Sequence, residues 1–226
     1  MGDGNVMIKV LYEDNHLLGV EKPCNMPVQE DDSKDLDLLR ACKEYIKEKY
    51  QKPGNVYIGL IHRLDRPVGG CMVFARTSKA ASRLSDMMRK NEIEKIYYAV
   101  IEGKPKENGG TLIDYLTKNA KTNTVTVTDE TQGKKSILHY ELMDSKNNLS
   151  LLRIHLETGR PHQIRVQLSS RGMPIVNDQR YNKNAKKGQI ALHCTNLRFK
   201  HPVKKEEVLL TSSLPNRWPW TEFEVM

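Results

Sequence analysis

The apolar residues of this chain fall mostly in short stretches, and this pattern limits its fold more than any other feature. Between residues 152 and 157, apolar side chains alternate with charged or titratable ones, which is typical of a half-buried strand. Other short stretches with strand character lie at 6–12, 17–21, 56–61, 71–75, 96–101, 190–194, 196–200 and 206–211. Strands that follow each other in runs predict the α+β class, with a mixed, largely antiparallel central sheet flanked by helices.

Helices are predicted at only three places between these strands. The first covers 33–50, the second begins near Thr77 or Ser78, and a short third one has Pro161 in its first turn and ends near Gly172. Residues 122–128 and 137–143 predict a hairpin. No repeat or low-complexity linker divides the sequence, which predicts a single domain over 1–226.

Charge and cysteine content narrow the class of partner and the compartment. The chain has 36 Lys and Arg against 28 Asp and Glu, a net charge of +8, which favours polyanionic partners, although an ordinary basic protein has the same balance. The four cysteines are scattered without metal-site or disulfide spacing. No apolar run is long enough to span a bilayer, and no signal peptide is visible. The expectation is a cytoplasmic protein without a membrane partner.

Two polar segments carry candidate chemistry. Residues 62–70 place a histidine, two arginines and Asp65 between two apolar stretches, in a loop shaped by proline and glycines. An aspartate between two arginines is, on its own, more typical of a local ion pair than of a catalyst. Residues 158–165 place several cations where a helix should begin. Cations oppose the helix dipole there, which indicates an anionic partner such as phosphate or carboxylate.

Five motifs in one order along the chain resemble those of the RluA-type pseudouridine synthases. They are 62–65 with Gly70, 95–99, 159–165, 172–181 and 191–202. With residues 10–14 and 22–23 included, the resemblance runs from about residue 8 to 210. Three positions depart from the family: Gly69 where Ser is usual, Pro161 where Thr is usual, and Asn177 where Gly is common. No N-terminal RNA-binding domain of the S4 type is expected, which leaves the substrate open.

The resemblance implies an enzyme that isomerises uridines of structured ribosomal or transfer RNA, in a central active-site cleft. The N1–C1′ bond breaks, the uracil rotates and C5 is joined to C1′, so no cofactor or metal is expected. Asp65 matches the essential aspartate, either as nucleophile or stabiliser or as the base that removes the C2′ proton. Arg165 matches the basic residue paired with that aspartate, and Tyr97 the tyrosine that packs on the uracil.

The resemblance also implies that the target base is flipped out of its stack. Five residues are then predicted to contact RNA or support the loops that do: His62, Arg63, Lys95, Arg160 and His162. Arg63 would fill the vacated space, and His62 would orient the loop rather than transfer a proton. Further cations could extend a basic track, although charge runs of this kind are usually solvated surface: Lys22, Arg66 and those of residues 183–187. A monomer is expected.

Two other functions fit parts of this pattern. One is a non-catalytic RNA-binding or ribosome-assembly protein on the same fold, which has no need for Asp65, Tyr97 and Arg165 together. The other is a nucleic-acid glycosylase, which also flips bases but releases free base. An RNA product of unchanged mass distinguishes the isomerase from the glycosylase.

Overall fold

The computed structural model describes residues 7–224. In chain order the strands are β1 (Lys9–Glu13), β2 (Leu17–Lys22), β3 (Gly59–Leu60), β4 (Gly69–Ala75), β5 (Glu94–Glu102), β6 (Gly109–Asn119), β7 (Thr124–Thr128), β8 (Lys134–Lys146), β9 (Leu149–Leu156), β10 (Leu192–Lys200) and β11 (Glu207–Thr211). The helices are α1 (Leu38–Lys49), α2 (Ser78–Arg89) and α3 (Gln163–Ser169), followed by a 3-10 turn at Trp220–Glu222. None of the helices formed by residues 7–224 is long and apolar enough to cross a membrane.

The chain forms two compact units. Within the described residues, the first contains 7–93 together with 196–212, and the second contains 94–195 together with 213–224. In the first unit β2 lies between β1 and β4, β3 pairs with β4, and the end of β10 pairs with β11. These pairs are antiparallel, as are those of the second unit. The predicted α+β class with a largely antiparallel sheet is therefore confirmed.

Helix α1 is shorter than predicted at its N-terminal end. It begins at Leu38 because the Asp37 carboxylate caps it, accepting a hydrogen bond of 2.9 Å from the Arg40 N–H. Upstream, the Asp31 side chain accepts from the Ser33 N–H, and Lys34 has a left-handed φ of 59°. These turn contacts replace helical hydrogen bonds over the predicted first turn. Helix α2 begins as predicted, with Thr77 as its N-cap.

In the second unit, five complete strands form a sheet in the order β5-β9-β8-β6-β7, and the first residues of β10 lie beside β5. The predicted hairpin of 122–128 with 137–143 is wrong, because β7 and β8 both pair with β6, which lies between them. The sequence of β6 gives little strand signal, since only Leu112 and Leu116 of its residues are buried. Residues 192–200 also form one strand, where two short ones were predicted.

Helix α3 packs on one face of this second sheet. Its Val166 is buried against Leu116 of β6 and Val125 of β7, and Tyr181 packs against the same cluster. The helix begins at Gln163, so Pro161 lies in the turn before it rather than in its first turn. His162 is the N-cap residue and has a left-handed backbone, with φ 53° and ψ 20°.

Candidate active site

Asp65 lies in the first unit, in the loop that joins β3 to β4. Its carbonyl oxygen accepts a hydrogen bond of 2.9 Å from the Val68 N–H, which closes a tight turn. Leu64 and Val68 are buried on either side of this turn, whereas Asp65 is half-buried and Arg63 is exposed. The two apolar neighbours therefore anchor the turn in the core and leave the Asp65 carboxylate near the surface.

A buried lysine braces this turn from behind. Lys22 is only 1% exposed, and its ammonium donates to the carbonyl oxygens of Pro23 at 3.0 Å, Met26 at 2.7 Å and Arg66 at 2.9 Å. Burial lowers the pKa of Lys22 to about 8, against the opposing effect of the nearby Asp65 carboxylate. Lys22 thus ties the residue after Asp65 to the segment that follows β2.

The strand side of the loop is fixed by His62 and Gly70. The His62 Nε2 accepts a hydrogen bond of 3.1 Å from the Val73 N–H of β4, so in this arrangement Nε2 carries no proton. Gly70 has φ 125°, a backbone conformation that residues other than glycine rarely adopt. These two features fix how the chain passes from the loop into β4.

Replacing Lys22 with Met is expected to destabilise the protein substantially. The three carbonyl oxygens would lose their donor inside the core, which costs about 2–4 kcal/mol of the free energy of unfolding. For a chain of this length the melting temperature should fall by roughly 5–15 °C. Thermal unfolding followed by circular dichroism measures this, with the exposed Lys43→Met as the control. Equal melting temperatures for the two variants would contradict the bracing role.

The predicted basic track does not extend over Lys22 and Arg66. Lys22 is buried, and the Arg66 guanidinium is neutralised by two carboxylates: Nη1 lies 2.9 Å from Asp31 Oδ2, and Nη2 contacts Asp35. The contact with Asp35 raises the pKa of Arg66 and lowers that of Asp35, whereas the pKa of Asp31 is lowered mainly by hydrogen bonds from Ser33 and only then by Arg66. Arg66 therefore serves to hold residues 31–35 beside the loop.

In the second unit, β5 places Lys95 and Tyr97 on the same face of the sheet, two residues apart. Both side chains are buried, with 7% and 8% of their surface exposed. The Lys95 ammonium lies against Gly159, where an added Cβ would come within 2.9 Å of Nζ. Burial lowers the pKa of Lys95, and the positive charge of Arg160 lowers it further. The structure thus brings Lys95 to the turn that contains Arg160.

This turn is organised by the side chain of Gln163. Its Oε1 accepts hydrogen bonds from the Thr158 hydroxyl at 2.8 Å and from the Arg160 N–H at 3.0 Å, and its Nε2 donates to the Ile137 carbonyl at 3.1 Å. The Arg160 guanidinium in turn donates through Nε to the Lys135 carbonyl at 3.1 Å. The backbone between β9 and α3 is therefore held in one conformation.

Arg165 is buried and binds a carboxylate. Its Nε lies 3.0 Å from Asp178 Oδ2 and its Nη2 lies 2.8 Å from Asp178 Oδ1, a bidentate ion pair in which Arg165 is 4% and Asp178 1% exposed. Asp178 Oδ1 also accepts from the backbone N–H groups of Arg180 and Tyr181, at 3.1 and 3.3 Å. An anionic partner for the cations of this segment was predicted, and for Arg165 one such partner is Asp178.

Tyr181 completes the surroundings of Arg165. Its ring lies under the guanidinium, with 5.1 Å from Cζ to the ring centre, and its hydroxyl is 2.5 Å from His162 Nδ1. The same hydroxyl accepts a hydrogen bond of 2.9 Å from the Val125 N–H of β7. His162 is therefore buried and held by Tyr181.

Sequence reasoning assigned no role to Asp178 or Tyr181, although both lie in a recognised motif. The sequence indication for their position is the preceding residue, Asn177, which stands where the resembling family commonly has Gly. Asn177 has a left-handed φ of 60°, a conformation that Asn tolerates better than most residues. A Gly or Asn at this position indicates a forced turn, and that turn directs Asp178 to Arg165.

The eight predicted site residues are divided between the two units. His62, Arg63 and Asp65 belong to the first, and the other five to the second: Lys95, Tyr97, Arg160, His162 and Arg165. The predicted pairing of Asp65 with Arg165 stays a prediction. Across residues 7–224, no three His, Cys, Asp or Glu side chains are grouped so that they would hold a metal ion.

Comparison with known proteins agrees with the sequence motifs. The family described as RNA pseudouridylate synthase matches residues 16–170, a range that includes Asp65, Tyr97 and Arg165. Ribosomal large subunit pseudouridine synthase D of Zymomonas mobilis is 28% identical over 223 residues, which cover 93% of this chain and 70% of that protein. The protein of the same name from Yersinia pestis is 32% identical over 226 residues, covering 93% and 68%.

The fold is also that of a solved structure. Human RNA pseudouridylate synthase domain containing 4 superimposes with a TM-score of 0.78 at 20% identity, covering 92% of this chain and 89% of that one. At this identity the likeness concerns the fold alone, whereas the sequence matches concern the family. The chain therefore belongs to the RNA pseudouridylate synthase family, whose members isomerise uridine in RNA to pseudouridine.

Proposed function

We propose that this protein forms pseudouridine in large-subunit ribosomal RNA and that Asp65 is its catalytic carboxylate. The relatives named for the ribosomal large subunit support this substrate class over transfer RNA. The observation that carries the role of Asp65 is the braced turn, in which Lys22, Leu64 and Val68 fix the backbone while the carboxylate stays half-buried. A fixed carboxylate can be held against one sugar carbon without loss of freedom during the reaction.

Asp65 acts on the ribose of the target uridine. As the N1–C1′ bond breaks, positive charge develops at C1′, and a carboxylate stabilises that charge or forms a covalent bond to C1′. Alternatively, Asp65 removes the proton from C2′ to give a glycal. In both routes the freed uracil rotates and C5 bonds to C1′. In the covalent route the bond between Asp65 and C1′ breaks at this step, and in the glycal route a proton returns to C2′. The C5 proton is then lost to solvent while N1 takes up a proton, so the mass of the RNA is unchanged.

Arg165 and Tyr97 complete the catalytic group. The bidentate contact with Asp178 uses Nε and Nη2 of Arg165 and orients its guanidinium. Arg165 is the basic residue proposed to pair with the Asp65 carboxylate. Tyr97, buried on β5, would pack on the uracil ring and limit its movement while it rotates.

The remaining residues handle the RNA rather than the reaction. The target nucleotide is flipped out of its stack, and the exposed Arg63 would fill the vacated space. Lys95 and Arg160 would contact phosphate, and His62 and His162 would support the two loops. The protein is further proposed to act as one catalytic domain, as a monomer and in the cytoplasm.

Tritium release from RNA labelled at uracil C5 tests this function. The wild-type protein is expected to release tritium from an unmodified transcript of bacterial large-subunit ribosomal RNA, and to release little from transfer RNA transcripts. Mass spectrometry of the digested product should give pseudouridine without a change in mass and without free uracil.

The outcomes separate the candidate functions. Free uracil would point to a glycosylase, and release from transfer RNA alone would refute the proposed substrate class. Tight RNA binding without release from either pool would favour the non-catalytic RNA-binding protein.

A further inference from the structure

Two neighbouring loops of the second unit form a surface that the proposed reaction does not use. One consists of residues 118–123, the end of β6 and the turn that leads to β7, and the other of residues 179–187. We call them the basic loop pair. The Arg180 guanidinium donates to the Thr122 carbonyl at 3.1 Å, and the Tyr181 hydroxyl accepts from the Val125 N–H at 2.9 Å. These two hydrogen bonds join the loops, so their side chains share one surface.

The basic loop pair contains only positive charge. Its six cations are all exposed: Lys118, Lys121, Arg180, Lys183, Lys186 and Lys187. No Asp or Glu occurs in 115–128 or in 179–205. Among the ion pairs formed within residues 7–224, none includes one of the five lysines. Because the whole chain has a net charge of +8, six unneutralised cations on one surface account for a large part of that excess.

The loop backbone is fixed, although the lysine side chains are exposed. Asn182 is 5% exposed, and its Nδ2 donates to the Ile175 carbonyl at 2.9 Å and to Glu102 Oε1 at 3.1 Å. The Gln179 side chain donates to the Lys186 carbonyl at 2.6 Å. In the other loop, the Asn119 Oδ1 accepts from the Lys121 and Thr122 N–H groups at 3.0 and 3.3 Å. The charges are therefore presented from a preorganised backbone, and Glu102 is occupied by Asn182.

This surface begins at the residues that hold Arg165. Asp178 binds the Arg165 guanidinium and Tyr181 packs under it, and the cations follow directly along the chain. Lys183 is two residues beyond Tyr181, so their Cα atoms are at most about 7 Å apart. A phosphate chain whose target nucleotide lies at Arg165 would pass within reach of these lysines.

We propose that the basic loop pair binds phosphate groups of the substrate RNA next to the target nucleotide. This inference rests on the proposed function for the identity of the ligand. Lysines suit this task because each acts as a point charge toward phosphate, and several together bind a polyanion without reading its sequence. They increase RNA affinity and take no part in the breaking or forming of bonds.

The test compares two variants of the full chain that carry the same change in net charge. In the loop variant five lysines become Gln: Lys118→Gln, Lys121→Gln, Lys183→Gln, Lys186→Gln and Lys187→Gln. In the control variant five exposed lysines elsewhere become Gln: Lys43→Gln, Lys47→Gln, Lys52→Gln, Lys79→Gln and Lys106→Gln. The Kd for an unmodified large-subunit ribosomal RNA transcript is measured from 50 to about 200 mM salt, the range over which phosphate contacts strongly affect affinity.

The loop variant is expected to bind at least about tenfold more weakly. Its salt slope should be smaller by about 0.7–0.9 for each RNA phosphate that the protein no longer neutralises. The control variant should stay within about twofold of the wild type, and kcat at saturating RNA should be unchanged in both.

Equal decreases in affinity in the two variants, or full RNA affinity in the loop variant, would overturn the proposal. Full RNA affinity in the loop variant would favour an acidic protein partner for this surface. Binding is measured separately from catalysis, so a failure of the proposed function would appear as absent tritium release with these affinities intact.

Discussion

Replacing Asp65 with Asn is expected to lower pseudouridine formation by at least about 10⁴-fold, because an amide is neither a nucleophile nor a base at neutral pH. The Kd for RNA should stay within about threefold of the wild-type value. The two side chains have nearly the same shape, and RNA affinity depends mainly on cations that contact phosphate. Tritium release and filter binding on one large-subunit ribosomal RNA transcript measure both quantities.

The structure explains why this variant should still fold. The turn at Asp65 is closed through its main-chain carbonyl, which accepts from the Val68 N–H, and the bracing ammonium of Lys22 binds the Arg66 carbonyl. Both hydrogen bonds are independent of the Asp65 side chain. The melting temperature of Asp65→Asn should therefore lie within a few degrees of the wild type, so that lost activity reflects chemistry rather than unfolding.

Asp32→Asn is the matched control, since Asp32 is exposed in the neighbouring segment and the change in charge is the same. It should retain activity within about twofold, as expected for a surface substitution. Substantial turnover by Asp65→Asn would rule out both routes proposed for the aspartate. Loss of RNA affinity in parallel with activity would mean that Asp65 acts in binding and not in the reaction.

The architecture followed from the sequence where side chains alternate or caps are present. Strand β9 alternates between buried and half-buried residues from Leu152 to Leu156, and Thr77 marks the start of α2. Strand β6 was missed because most of its residues are open to solvent, which removes the alternation that predicts a strand. Because β6 was not predicted, β7 and β8 were wrongly paired with each other. Local sequence patterns indicate which residues form strands, but they do not show which strands are neighbours in the sheet.

The candidate site was only partly predictable for a similar reason. The motifs identified Asp65, Tyr97 and Arg165, but a motif gives the residue type and not its contacts. The partners of Arg66 lie more than thirty positions away in the sequence, at Asp31 and Asp35, so its neutralisation is a property of the fold. Asp178 and Tyr181 were likewise assigned no role, because only the folded chain brings them to Arg165.

Replacing Arg165 in its buried pair with Asp178 is expected to cost about 3–5 kcal/mol of the free energy of unfolding. Arg165→Met leaves the Asp178 carboxylate, 1% exposed, with two backbone N–H donors and no counter-charge. It should melt roughly 10 °C or more below the wild type. Asp178→Asn should lower the melting temperature by less, because Arg165 is also proposed to pair with Asp65. Arg171→Met is the control, because Arg171 pairs with Asp114 at a more exposed position and should cost at most about 1 kcal/mol.

A double-mutant cycle then separates the pair from the packing around it. The variant with both changes should lose less stability than the sum of the single changes, because neither charge of the pair is left in the core without the other.

The activity of Asp178→Asn gives a separate prediction. Asp178→Asn, assayed well below its melting temperature, should lower kcat more than KM, since Asp178 orients Arg165 and does not contact RNA. Additive losses of stability would contradict the ion pair, and a normal kcat in the folded Asp178→Asn protein would limit Asp178 to a purely structural role.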